Sequence, residues 1–132
     1  DKESHRVNIA RELIALGASV HAQASSRLQP LHFAAKSNLV EVADLLLQSG
    51  ADVNARQQYT EETPLLMAVD SHIHRNDRRN FLTMVELLLV RGAEVNARNG
   101  GGRTALGILL RSQPRQGTQQ LIDTLRVWGA TE

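Results

Sequence analysis

QPLHFAAKSNLVEVADLLLQSGADVNA, residues 29–55, is the stretch on which the fold turns. Its second residue, Pro30, stands where a first-turn proline costs no helical hydrogen bond. A short Ala-rich run follows, then VEVADLLLQ, whose apolar residues recur at three- and four-residue steps and so share one helix face. Gly50 comes next, where a helix ends in the left-handed conformation that glycine adopts without strain. The residues after it are too polar and too few for a third helix and read as an extended turn. The stretch predicts two short helices and a polar connection.

Outward from this stretch the pattern repeats. Gly-Ala pairs stand at Gly17-Ala18, Gly50-Ala51, Gly92-Ala93 and Gly129-Ala130, spaced 33, 42 and 37 residues apart. Near-copies follow them: ASVHAQ, ADVNAR, AEVNAR and a final ATE. QPLHFAA from Gln29 has counterparts in TPLLMAV from Thr63 and TALGILL from Thr104. These predict first helices at about 30–37, 64–71 and 105–111. Thr63 suits an N-cap, and Ala34, Ala35 and Ala68 let a neighbouring helix approach closely. VNIARELIAL, VEVADLLLQ, TMVELLLV and QQLIDTLRV carry the bulk, with Leu13, Leu46, Leu88 and Leu125 in equivalent places. The distance from glycine to the next first helix stays constant within a residue. The extra residues of the third and fourth units therefore fall between their two helices.

Composition narrows the function classes. With 132 residues the chain can bury a core. A net charge of +1 gives no global attraction to nucleic acid or an acidic membrane. The absence of cysteine excludes disulfides and thiolate metal sites. No apolar run approaches the ~20 residues of a membrane span, and the first residues lack the apolar core of a signal peptide.

A 33-residue period with P-L-H…A-A and G-A-D-V-N-A resembles the ankyrin repeat over roughly residues 7–130. The resemblance implies an all-α solenoid of about three and a half repeats, built of antiparallel helix pairs joined by β-turn loops. Its units are about 1–23 (partial), 24–57, 58–98 with an insert at about 72–80, and 99–132 as the C-terminal cap. The departures are specific. Gln29 stands in place of the capping Thr, and Leu66 and Gly107 replace the histidine found at His32. The family's turn glycine is present as Gly102, while Arg27 and Glu61 occupy its place in the earlier turns.

The resemblance implies a non-enzymatic module that binds another protein, as a monomer, without cofactor, membrane or nucleic acid, inside the cell in the cytoplasm or nucleus. It places the contact surface on the turn tips and the exposed side of the first helices. That surface holds Ser25, Ser26, Leu28, Lys36, Ser37, Arg56, Tyr59, Thr60, Glu62, Asp70, Ser71, Arg98, Arg103, Arg111 and Ser112. These positions vary between units while the framework repeats. Asn54 and Asn96 suit a tight turn by bonding nearby backbone. The resemblance also implies that such asparagines, with a Leu eight residues before them as at Leu46 and Leu88, can be substrates of an asparaginyl hydroxylase where the host is an animal cell.

The insert DSHIHRNDRRN raises other possibilities. His72 and His74, two apart on a helix, do not share a face; Asp70 and His74 do, but supply only two of the three or four ligands zinc needs. Ser71 and His72 adjoin carboxylates in sequence, which is not triad geometry. Arg75, Arg78 and Arg79 offer an alternative function, binding nucleic acid or phosphate, although no aromatic is interleaved for base stacking. The plain reading is a solvated tip that can be deleted without loss of fold. Gly100-Gly101-Gly102 lacks the lysine of a phosphate loop and reads as a turn.

The ends of the array differ. Thr124 and Arg126 replace the leucines of earlier units, which suits the polar outer face of a terminal cap. The first unit has a second helix but no first, which leads to the expectation of further repeat sequence upstream.

Overall fold

The computed structural model describes Asn8, Arg11, residues 28–74 and residues 80–132. The partial first unit at 1–23, Ser25, Ser26, Arg27 and the arginines of the insert otherwise lie outside the described residues. Among the described segments six helices follow one another: α1 (Pro30–Lys36), α2 (Val40–Gln48), α3 (Pro64–His74), α4 (Leu82–Val90), α5 (Ala105–Arg111) and α6 (Thr118–Val127). No strand occurs among these residues.

Each first helix packs on its own second helix, α1 on α2, α3 on α4 and α5 on α6. Between units the layers are continuous: α1 meets α3 and α3 meets α5, while α2 meets α4 and α4 meets α6. Leu31, Leu65, Leu66, Met84, Leu88, Leu109, Leu121 and Leu125 are fully buried between these layers. Ala34, Ala35, Ala43, Ala68 and Ala105 are buried too, and their small side chains let the helices approach. Leu46, Leu88 and Leu125, equivalent by sequence, are 5%, 0% and 0% exposed.

The local signals act as their chemistry dictates. Thr104 Oγ1 accepts the Gly107 N–H at 3.1 Å, and Thr63 Oγ1 accepts the Leu66 N–H at 3.3 Å. Gly50 and Gly92 take φ of +99° and +98° just past their helices. At α1, where Gln29 replaces the capping threonine, His32 closes the helix start by another route. Its Nδ1 accepts the Gln29 N–H at 3.0 Å, and its Nε2–H donates to the Ala55 carbonyl of the following turn at 2.8 Å. One imidazole thus ties a first helix to the turn that closes its own unit.

α3 departs from the sequence expectation. It runs to His74 rather than ending near 71, so the insert begins as helix. His72 is only 4% exposed, and its Nε2 lies 2.9 Å from Thr118 Oγ1 in the next unit. Its ring meets Phe81 edge-on at 6.4 Å. Arg115 Nη1 donates to the His72 carbonyl at 3.2 Å. The expectation of a wholly solvated tip at 72–80 is therefore wrong at its near end. The third unit spends extra residues on a longer first helix, which reaches the start of α6. At the far end of the insert, Asn80 Oδ1 accepts the Leu82 N–H at 2.9 Å, and the Asn80 carbonyl accepts from Asn38 Nδ2 at 3.2 Å.

Both buried imidazoles are held below the usual histidine value, chiefly by burial; for His72 the Arg115 charge adds to this. The His32 bonding also requires the neutral tautomer, because a proton on Nδ1 would face the Gln29 N–H. The unfolded chain therefore takes up protons first as pH falls below its value near 6.5. The stability present above that value is expected to decline as pH drops through the mildly acidic range. Urea midpoints are expected to fall between about pH 7.5 and pH 6, above the range in which the Glu62 carboxyl takes up its proton. A flat profile would reject the neutral-imidazole assignment.

Candidate protein-binding surface

Two sets of exposed positions lie side by side, the turn tips and the outward row of the first helices. The tips are built alike. In one turn Gln57 Oε1 accepts from the Tyr59 and Thr60 N–H groups at 3.1 and 2.7 Å. In the next, Asn99 Oδ1 accepts from Gly101 and Arg103 at 2.9 and 3.1 Å. A short polar side chain thereby folds each tip onto itself. Adjacent tips then join, with the Gly100 N–H donating to the Thr60 carbonyl at 2.7 Å.

Asparagines set the spacing of successive turns. Asn54 Nδ2 donates to the Gly92 carbonyl at 3.2 Å, and its Oδ1 accepts the Glu94 N–H at 2.9 Å. Asn96 repeats this with the Gly129 carbonyl and the Thr131 N–H, at 3.2 and 2.7 Å. Both amides act across the unit boundary, whereas the sequence reading had them bonding within their own turns.

Arg56 and Arg98, expected on the contact surface, have intramolecular work. Arg56 Nη1 donates to the carbonyls of Glu61 and Arg98 at 3.1 and 2.7 Å. Arg98 donates to the carbonyls of Gly102 and Glu132 at 2.7 and 3.1 Å. Their guanidinium groups stitch one turn to the next, so substituting them would disturb the surface itself. Arg103 and Thr60 are exposed at the tips, and Tyr59 is 73% exposed.

On the helix row Lys36 and Arg111 are exposed, while Asp70 is half-buried and pairs with His74 at 3.2 Å. Leu28, Ser37, Glu62 and Ser112 are half-buried. Ser112 turns its hydroxyl back to the Leu109 carbonyl at 2.8 Å. Ser71 must be removed from the expected surface. At 7% exposure it lies inside the lengthened α3 rather than at a helix end. Burial raises the Glu62 carboxyl above its usual range, and the nearby Asp70 charge adds to the shift.

Phe33 belongs to this surface and was missed by sequence reasoning. It follows His32 in α1 and is 48% exposed, while its counterparts Met67 and Ile108 are 9% and 8% exposed. The available signal was the mismatch between a large aromatic and the outward position between His32 and Ala34.

Glu61 adopts φ +56° where the next turn has Gly102 at φ +77°. A side chain in this region costs about 1–2 kcal/mol, partly offset by the lower unfolded-state entropy of a non-glycine residue. Glu61 is exposed, so its removal sacrifices no core packing. Glu61→Gly is expected to stabilise the fold by about 0.5–1 kcal/mol in urea unfolding. An unchanged or lower midpoint would show that this backbone carries no relievable strain.

No group of three potential metal ligands converges among the described residues. Among the same residues no helix is long and apolar enough to cross a membrane.

Stacked helix pairs, continuous in two layers and tied through their turns, define the class: a helical repeat solenoid that presents side chains from successive units on one surface. Residues 2–99 match the family model described as ankyrin repeats in three copies, and the chain belongs to the ankyrin-repeat family. No curated protein sequence matches the chain. Ankyrin repeats are, in general, non-catalytic protein–protein interaction modules. The last helix pair, beyond the matched residues, packs on its neighbours as the earlier pairs do.

Proposed function

We propose that this chain binds a partner protein through the concave face formed by the outward row of α1, α3 and α5 together with the turn tips. The observation that carries this reading is the division of labour among the exposed residues. Asn54, Asn96, Arg56 and Arg98 are consumed in joining units, whereas Phe33 and Tyr59 expose large aromatic surfaces. Aromatic side chains of this kind are enriched at interface centres, where a few residues dominate affinity. In this reading Lys36, Thr60, Glu62, Asp70, Arg103 and Arg111 add polar and charged contacts, with Leu28, Ser37 and Ser112 contributing less exposed ones. In this reading units 24–57, 58–98 and 99–132 each contribute one strip of the surface.

The test is affinity capture of a partner with the intact chain, followed by titration of two double variants at two salt concentrations. Phe33→Ala with Tyr59→Ala is expected to weaken binding at least about tenfold, equivalent to about 1.4 kcal/mol, with unchanged circular dichroism. Arg78→Ala with Arg79→Ala is expected to have little effect. If the arginine variant loses binding while the aromatic variant retains it, the concave-face reading fails. The phosphate or nucleic-acid reading of the basic insert then replaces it.

A further inference from the structure

We propose that the concave face accepts a polyproline II segment of the partner, with an acidic, a basic and an acidic side chain at every third position. This rests on the concave-face reading and adds the chemistry and register of its ligand. Lys36, Asp70 and Arg111 are each the seventh residue of their first helix. Because α1 packs on α3 and α3 on α5, the three positions form one row across successive units. Lys36 and Arg111 are exposed, and the Asp70 side chain is 46% exposed. The row therefore presents positive, negative and positive charge in order.

The middle position is reinforced. Half-buried Glu62 lies close enough to Asp70 and Lys36 to feel both charges. His74 Nδ1 lies 3.2 Å from the Asp70 carboxylate, and its side chain is 71% exposed, so one side of Asp70 stays open. A cation from the partner would meet two carboxylates there.

The spacing selects the ligand's backbone. Packed helices stand about 8–10 Å apart. A polyproline II helix rises about 3.1 Å per residue with three residues per turn, so side chains on one face recur about every 9 Å. A β-strand has a similar rise, but its side chains at i and i+3 point to opposite faces. The helical row also offers no strand edge for main-chain pairing, whereas polyproline II needs no such partner. The apolar contact falls at one end, since Phe33 is 48% exposed but Met67 and Ile108 are nearly covered. The ligand's apolar residue thus belongs beside the acidic residue that faces Lys36.

Three synthetic peptides test this against the full chain in a fluorescence titration. The first has the core Glu-Leu-Pro-Lys-Pro-Pro-Glu. The second reverses every charge, and the third inserts one proline between successive charged residues. The first is expected to bind at least about tenfold more tightly than either of the others. The triple variant Lys36→Glu, Asp70→Lys, Arg111→Glu should reverse the preference between the first two peptides, which a merely misfolded surface could not do. Equal affinity or equal absence of binding for all three peptides overturns the proposal, as does a preference that the triple variant leaves unchanged. If the captured partner still depends on Phe33 and Tyr59 after such a result, the concave-face reading stands and only this ligand register is wrong.

Discussion

Deleting residues 72–80 is expected to lower the unfolding free energy by at least about 2 kcal/mol, because both ends of the segment carry structural bonds. At its near end the deletion removes the His72 ring, which is 4% exposed, and its bond to Thr118 Oγ1. Loss of a buried hydrogen bond with one partner left behind costs about 1–3 kcal/mol, and an aromatic pair such as His72 with Phe81 adds about 0.5–1.5 kcal/mol. At the far end Asn80 is lost, with the Oδ1 that accepts the Leu82 N–H at the start of α4. A hydrogen bond of this kind is worth about 0.5–1.5 kcal/mol. Urea denaturation of the deletion variant beside His72→Ala separates these contributions, with the single substitution expected to show the smaller loss. A deletion midpoint equal to the parent's would restore the reading of the insert as a dispensable tip.

Leu88→Ala is expected to cost about 2–5 kcal/mol, the range for emptying a fully buried leucine site. Leu88 is 0% exposed on α4, the second helix that packs against both α2 and α6. In a solenoid the total stability is a sum over units and their interfaces, so a defect in a middle unit weakens two interfaces at once. Against a typical total of about 5–15 kcal/mol, this places the variant near the edge of folding. Val90→Ala on the same helix serves as control: Val90 is 66% exposed and should change stability by less than about 0.5 kcal/mol. Chemical denaturation monitored at the single Trp128 and by circular dichroism would measure both. Similar losses for the two variants would contradict the assignment of Leu88 to the core.

Much of this architecture was legible because repeats state it several times. Gly50, Gly92 and Gly129 mark helix ends by a conformation that other residues adopt only with strain, and all three have positive φ. Leu46, Leu88 and Leu125 mark one buried face through helical period alone. These features are local, and local chemistry decides them. The polar ends of the array were read less completely. Thr124 is half-buried and Arg126 exposed, but Val127 and Trp128 beside them are 84% and 45% exposed, so that face is not uniformly polar.

The paired helices, their glycine stops and the leucine face are local properties of the sequence, because each depends on residues within a few positions of one another. The tertiary structure decided which polar side chains are available to a partner. Arg56 and Arg98 have the composition of interface anchors, yet their guanidinium groups reach carbonyls 42 and 34 residues away. His72 looked like part of a solvated tip, yet its partner Thr118 lies 46 residues further along the chain. Phe33 is turned outward by its helix, while Met67 and Ile108 at the same place in theirs are nearly covered. Hydrogen-bonding capacity is a property of the residue, but whether that capacity is already filled depends on neighbours that only the folded stack brings within reach.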